Sequence, residues 1–90
     1  MGQPYDIEIG DRLNKELEKL EKKDKSVYSA IIKKMLRIAE RPYLGKTLKG
    51  VLKGKRRVHI GSFVMIYGID EKDRKVIFLE FTHHDEAYKQ

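Results

Sequence analysis

Three histidines, His59, His83 and His84, are the side chains of this sequence that exchange protons near neutral pH. A histidine that reaches a reacting group can act as its general acid or base. His83 and His84 are adjacent, so in an extended chain at most one of them faces a shared site. Tyr88 follows His84 by four residues and can curl back to the same place, or else its ring anchors the tail by packing. These residue types indicate acid–base chemistry, with an ordinary surface role as the alternative for His59.

A bound metal ion is not expected from this sequence. The chain has no cysteine, which excludes thiolate-bound zinc. Histidine ligands would need a third partner such as Glu80 or Asp85, and the spacing of these residues matches no recognised metal motif. The glycines form no Walker pattern either. The sequence therefore predicts neither a metal nor a small-molecule cofactor.

Basic residues are concentrated in one short stretch. Residues 41–60 contain seven Lys or Arg and no Asp or Glu, whereas residues 1–40 and 61–90 are each nearly balanced. Such a cluster attracts polyanions, namely nucleic acid, an anionic membrane or an acidic protein. A solvated Lys-rich surface is the alternative. The cations expected to contact a phosphate backbone are Lys46, Lys49, Lys53, Lys55 and Arg56.

The pattern of apolar residues predicts a single α+β domain over residues 1–90. Alternation indicates strands, and apolar residues at helical spacing indicate two consecutive helices. The expected order is β-α-α-β-β-β, with an N-terminal helical hairpin packed on one face of a small, mainly antiparallel sheet. The predicted elements are a strand at 5–9, a helix at 11–23, a second helix ending near residue 40, a loop at 41–54, and strands at 55–60, 63–70 and 75–82.

A turn at Gly61-Ser62 decides which side chains share a face of this sheet. Two turn residues with Gly first suit a type II′ hairpin, and directly opposed residues of a hairpin point to the same side. The face toward the helices is predicted to carry Val58, Ile60, Phe63, Met65, Tyr67, Ile77, Leu79 and Phe81. The other face is predicted to be open and to carry Arg57, His59, Val64, Ile66, Glu80 and Thr82. With the cations of the preceding loop beside it, that open face suits a phosphodiester backbone.

Two stretches of the sequence resemble a known family. "RRVHIGSFVMIYGID" (residues 56–70) places basic residues before a Gly, a small polar residue, an aromatic, aliphatics and a Tyr, and "FTHHDEAY" closes the chain at residues 81–88. In this order, after "LKG" at 48–50, they are similar to the RelE/ParE superfamily of type II toxin–antitoxin toxins, RelE branch. The resemblance implies a RelE-like fold and metal-independent cleavage of mRNA in the ribosomal A site. The ribose 2′-OH would attack the adjacent phosphate and leave a 2′,3′-cyclic phosphate and a 5′-OH.

The same resemblance implies roles for individual residues. Arg57 and His59 match two basic positions before the turn, and His59 would be the general base or one more cation. His84 matches an arginine that contacts phosphate, and Tyr88 matches a C-terminal tyrosine that orients the base or joins the proton transfer. His83 matches a variable position that often holds His or Lys, so it joins the candidate RNA contacts.

Val64 departs from the family pattern, because the resemblance places a signature arginine at this position. Lys46, Lys53 or Arg56 would then have to supply the missing charge. The departure keeps three functions open: a RelE-like mRNA endonuclease, a ParE-like inhibitor of DNA gyrase, and a catalytically weakened member that acts only as a binding module.

The partners implied by the resemblance are a cognate antitoxin, the ribosome and mRNA. Such an antitoxin is a short, partly disordered acidic chain that folds on the surface of the toxin, and the basic stretch at 41–60 would suit it. No apolar run approaches the ~20 residues of a membrane span, and the polar N-terminus does not resemble a secretory signal. The sequence therefore predicts a cytoplasmic protein with no membrane contact.

Overall fold

The computed structural model describes residues 2–83 and shows two helices packed on a five-stranded sheet within them. The predicted α+β order is confirmed, and the predicted loop at 41–54 contains one additional short strand together with 3₁₀ turns at Pro42–Leu44 and Gly50–Leu52. In chain order the helices and strands are β1 (Asp6–Ile9), α1 (Asp11–Lys23), α2 (Lys25–Glu40), β2 (Lys46–Thr47), β3 (Lys55–Ile60), β4 (Phe63–Asp70) and β5 (Lys75–His83).

The two helices form an antiparallel hairpin that buries its apolar stripe against the sheet. Asp24 alone separates them, and its side chain accepts a hydrogen bond from the Val27 N–H at 3.2 Å, which caps α2. The apolar positions recur at the 3.6-residue period of a helix, so they fall on one side of each helix. The buried residues are Leu13 and Leu17 in α1, and Ile31, Met35, Ile38 and Ala39 in α2.

The strands are arranged in the order β1-β5-β4-β3-β2, which places β4 at the centre of the sheet. Strands β2 to β5 pair antiparallel, and β1 adds to the far edge parallel to β5. The sheet is therefore mixed, with a single parallel pair at the edge remote from β3.

The β3–β4 hairpin has the register that the turn at Gly61-Ser62 predicts. Gly61 has φ +60°, and Ser62 is not among the residues with positive φ, as a type II′ turn requires. The opposed pairs are Ile60 with Phe63, His59 with Val64, Val58 with Met65, and Arg57 with Ile66. This register places Arg57 and His59 on the face of the sheet that is turned away from the helices.

The prediction that Ile77 and Leu79 face the core is wrong, because β5 contains a bulge. Tyr67 pairs with Phe78 while its neighbour Ile66 pairs with Glu80, so Leu79 has no opposite residue. One extra residue reverses the alternation along the strand. The side chains that fill the core from the first half of β5 are Val76 and Phe78, both fully buried, and Phe81 packs against the core as predicted.

The face opposite the helices is less open than predicted. Val64 is 1% exposed and Ile66 is 7% exposed, although both point away from the helices. Both lie on the central strand, so each has side chains of β3 on one side and of β5 on the other. The exposed side chains of this face lie on the strands that flank β4, and they include His59 on β3 and Glu80 on β5.

Candidate functional site

Strand β3 presents Arg57 and His59 side by side, because residues two apart on a strand share a face. The Arg57 Nη1 donates a hydrogen bond to the His59 Nε2 at 2.9 Å. A guanidinium has no acceptor, so Nε2 is the accepting atom of this contact. The site therefore places a fixed positive charge in direct contact with an imidazole.

Strand β2 places a second cation beside this pair. Lys46 is directly opposed to Arg57 in the antiparallel β2–β3 ladder, and its side chain is exposed. Opposed residues of such a ladder point to the same side of the sheet. Lys46, predicted to lie in a loop, is thus held in register with Arg57 by backbone pairing.

The segment that leads into β2 is held by the buried tyrosine Tyr67. The Tyr67 hydroxyl donates to the Pro42 carbonyl oxygen at 2.7 Å and accepts from the Gly45 N–H at 2.9 Å. Its ring is fully buried between the helices and the sheet. Burial is the main cause that raises the pKa of Tyr67 above its ordinary value. A neutral phenol in the core thus fixes the position from which Lys46 extends.

Gly45 and Arg56 complete this attachment. A Cβ at Gly45 would lie 2.6 Å from the Arg57 carbonyl oxygen and 2.7 Å from the Tyr67 hydroxyl, so only glycine fits. The Arg56 Nη1 donates to the Gly45 carbonyl oxygen at 2.7 Å, and its guanidinium lies 4.9 Å from the centre of the Tyr43 ring. Arg56 therefore holds the segment before Lys46, and its contact with RNA stays a prediction.

Two adjacent clefts are lined by residues of both α2 and β3, and Lys34, Arg37 and His59 line both of them. The first, about 610 Å³, extends toward Gly61 and the second, about 530 Å³, extends toward Lys46. The two clefts adjoin at these three shared residues. We call them together the α2–β3 groove, defined by Lys34, Arg37, Lys46, Arg57 and His59.

The remaining predicted site residues lie elsewhere or beyond the described residues. Lys49 and Lys53 are exposed in the segment between β2 and β3, and the Lys55 side chain packs along Gly68. His83 ends β5 opposite Phe63, with the two rings edge to face at 5.5 Å. None of these four residues lines the groove. His84 and Tyr88 lie outside the described residues, so their predicted roles stay predictions.

Sequence reasoning missed the cations that helix α2 contributes. Lys33, Lys34 and Arg37 all line the first cleft, opposite His59. The signal was present, since residues 25–40 contain four basic residues and one acidic residue. The net charge of residues 1–40 hides it, because acidic side chains before residue 25 cancel the basic ones.

Neither helix within residues 2–83 has the length and apolar composition needed to cross a membrane.

The family model and the relative that match this chain both describe toxins. The chain matches the family model described as the ParE toxin of the type II toxin–antitoxin system parDE over residues 7–88. A protein of Methanocaldococcus jannaschii named as a toxin, RelE4, is 46% identical over 87 residues, which cover 96% of this chain and 93% of that protein.

Solved structures share the fold at lower sequence identity. The toxin–antitoxin complex RelBE2 from Mycobacterium tuberculosis contains a chain that is 23% identical, with a TM-score of 0.77, covering 90% of this chain and 99% of its own. The archaeal RelE–RelB complex from Pyrococcus horikoshii contains a chain that is 19% identical, with a TM-score of 0.71, covering 91% of this chain and 97% of its own. These likenesses establish the same arrangement of two helices on a mixed sheet.

Proposed function

Because the chain belongs to the ParE toxin family of type II toxin–antitoxin systems, within the RelE/ParE superfamily, we propose that it is a ribosome-dependent mRNA endonuclease. It would stop translation in the cytoplasm by cutting mRNA in the ribosomal A site, without a metal or other cofactor. The observation that carries this proposal is the contact between Arg57 and His59 in a groove lined by further cations.

The proposed reaction is an internal transesterification, in which the phosphorus of the RNA exchanges its bond to the 5′ oxygen for a bond to the 2′ oxygen. His59 takes the proton from the ribose 2′-OH, the 2′ oxygen forms a bond to the adjacent phosphorus, and the bond from phosphorus to the 5′ oxygen breaks. The leaving 5′ oxygen takes up a proton from the solvent, so the products are a 2′,3′-cyclic phosphate and a 5′-OH. Arg57, which donates to His59 in the free protein, would move its hydrogen bond to the phosphate and release Nε2 to act as the base.

Positive charge at the reacting phosphate must come from residues other than Val64, which occupies the position of the family's signature arginine. Val64 is directly opposed to His59 and is 1% exposed, so this position packs rather than binding an anion. Of the three cations named above as replacements, Lys46 is the best supported, because it is directly opposed to Arg57. Lys53 does not line the groove, and Arg56 donates to the Gly45 carbonyl oxygen. Lys46 is therefore the proposed second phosphate ligand.

The proposed partner that restrains this activity is a cognate antitoxin. Both solved structures described above, which share the fold, are toxin–antitoxin complexes. An acidic antitoxin segment would be attracted to the excess positive charge of this chain, which is +6.

A second candidate function is inhibition of DNA gyrase by binding, as set out above for the ParE branch. The specific observation in its favour is that the matching family model is the ParE one. The endonuclease is preferred because gyrase binding gives no role to an arginine in contact with an accepting histidine.

The test is induction of the protein in bacterial cells, followed by mapping of mRNA ends and of DNA breaks. We expect growth arrest with cleaved mRNA that carries cyclic-phosphate ends. His59→Ala should lower the cleavage rate by about 10²–10⁴-fold, as loss of a general base does. Arg57→Ala should lower it by about 10²–10³-fold, as loss of one charge donor at a transition state does.

Lys19→Ala is the matched control, because Lys19 is exposed on α1, and this variant should cleave like the wild type. Arrest with DNA damage and intact mRNA would replace the proposal with the gyrase function. Absence of arrest would leave a binding module without catalysis.

A further inference from the structure

The α2–β3 groove continues on both sides of the proposed reacting centre. His59 lines both clefts, one reaching along α2 toward Gly61 and the other reaching toward Lys46. A site for a single phosphate would need only one of them. Two adjoining clefts that meet at a histidine match a ligand that extends beyond the cut bond.

The groove is lined mainly by basic side chains, and two of them, Lys34 and Arg37, form no ion pair among residues 2–83. Helix α2 contributes Lys33, Lys34 and Arg37 to the first cleft, where Glu40 is the one acidic side chain in the lining. Among residues 2–83 the ion pairs are Arg12–Glu16 and Lys75–Glu8, so Lys34 and Arg37 have no acidic partner in this part of the chain. Like charges placed together without counter-charges favour an anionic ligand.

We propose that the α2–β3 groove binds the RNA backbone on both sides of the cut phosphate, with Lys34 and Arg37 as its phosphate ligands from the helix. This inference rests on the proposed endonuclease function and identifies the part of the protein that grips the strand. A cationic groove that follows the backbone is the usual way in which proteins bind single-stranded nucleic acid without regard to sequence.

An acidic protein segment is the other ligand that such charge attracts, and the apolar content of the groove argues against it. An amphipathic helix docks through three or four apolar anchors on successive turns. The large exposed apolar side chains of the lining are Leu36 in one cleft and Leu44 in the other. Single apolar side chains in separate clefts do not form the floor that a docked helix needs.

The test is the salt dependence of RNA binding, measured with a fluorescent oligonucleotide of about ten nucleotides, within the site sizes typical of single-strand binders. Its ribose 2′ oxygens are methylated, so it cannot be cut by 2′-OH attack. The double variant Lys34→Ala/Arg37→Ala removes two proposed contacts, and each contact to a single strand contributes about 0.7 to the slope of log affinity against log salt. We expect the slope to fall in magnitude by about 1.4, and the affinity at 0.1 M salt to fall roughly 25-fold.

Lys22→Ala/Lys23→Ala is the matched control, because it removes the same charge from exposed positions at the end of α1. Both double variants should retain the wild-type circular dichroism, since alanine is the best helix former. The control should keep the wild-type slope. An equal loss of affinity in both variants would mean that net charge alone acts, and it would overturn the proposal.

The outcome is distinguishable from failure of the proposed function. If the wild type cleaves mRNA on ribosomes but Lys34→Ala/Arg37→Ala binds RNA with unchanged affinity and slope, the inference is wrong and the endonuclease stands. If the wild type cuts no mRNA while the groove variant still loses RNA binding selectively, the endonuclease is wrong and the groove remains an RNA-binding site.

Discussion

At the scale of single residues, Tyr67 links the core to the candidate site. Its ring belongs to the buried cluster, and its hydroxyl holds Pro42 and Gly45, just before Lys46. Replacing Tyr67 by Phe keeps the ring but leaves a buried carbonyl and a buried N–H without their partner. An unsatisfied buried polar group costs about 1–3 kcal/mol.

We therefore expect Tyr67→Phe to lower the free energy of unfolding by about 2 kcal/mol, measured by urea denaturation. Tyr43→Phe is the control, because the Tyr43 ring is 55% exposed and its stacking with Arg56 survives the change. That control should stay within about 0.5 kcal/mol of the wild type. Equal stability of Tyr67→Phe and the wild type would show that the hydroxyl does not hold this segment.

The effect of Tyr67 should also depend on pH. Burial raises the pKa of Tyr67 above its ordinary value of 10.0, so the folded state retains a proton that the unfolded state loses first. The stabilisation is then fully present below pH 10.0 and is lost as the pH rises through the raised pKa. The difference in stability between wild type and Tyr67→Phe should shrink above pH 10.0. Tyr5 and Lys75 are common to both proteins, so their own titrations cancel.

Some residues of the site could be predicted from the sequence, and others could not. Arg57 and His59 follow from alternation along one strand, which is a local rule. Arg56 differs from Arg57 in its neighbours rather than in its chemistry, and its contact with the Gly45 carbonyl oxygen spans 11 residues. Lys34 and Arg37 reach the site only because α2 packs beside β3, a relation that no local pattern contains.

At the scale of elements, the turn at Gly61-Ser62 sets the register that brings Arg57 and His59 to one face. Gly61 has φ +60°, and a Cβ there would meet no atom within 4 Å. The cost of Gly61→Ala is therefore conformational rather than steric. We expect a loss of roughly 1 kcal/mol in the free energy of unfolding, typical of a non-glycine residue at positive φ.

Urea denaturation again provides the measurement, with Ser62→Ala as the neighbouring control that lacks a positive φ. The control should be neutral within about 0.5 kcal/mol. If both variants lose the same stability, the backbone of Gly61 is not the reason that glycine stands there.

The prediction of the sheet failed at two elements, the bulge in β5 and the short strand β2. The hairpin of β3 and β4 is specified by a two-residue turn and by alternation on both strands. The bulge at Leu79 is not signalled by the sequence, because "VIFL" is apolar at four consecutive positions. Either set of alternate residues in it could therefore face the core. Likewise, β2 has only two residues, Lys46 and Thr47, both exposed. That segment is a strand because it pairs with β3, and its composition alone does not indicate a strand.

At the scale of the whole molecule, the groove is a surface that exists only after folding. Its two walls come from a helix and from a sheet edge that are separated in the sequence and joined through one shared core. Folding therefore brings Lys34 and Arg37 close to Lys46 and Arg57, and the repulsion among them opposes the fold. At 10 Å in water one such pair costs about 0.4 kcal/mol.

Removing groove charges should therefore change stability in a manner that depends on salt. Lys34→Ala/Arg37→Ala should gain a few tenths of a kcal/mol over the wild type at low salt, and the gain should vanish when salt screens the charges. Lys22→Ala/Lys23→Ala should show the opposite sign, because these lysines lie in the last turn of α1, where the helix dipole favours cations. Both variants lose two positive charges, so net charge alone predicts the same shift for both. Urea midpoints at low and high NaCl decide between the two expectations, and a shift of the same sign in both variants would refute a local repulsion in the groove.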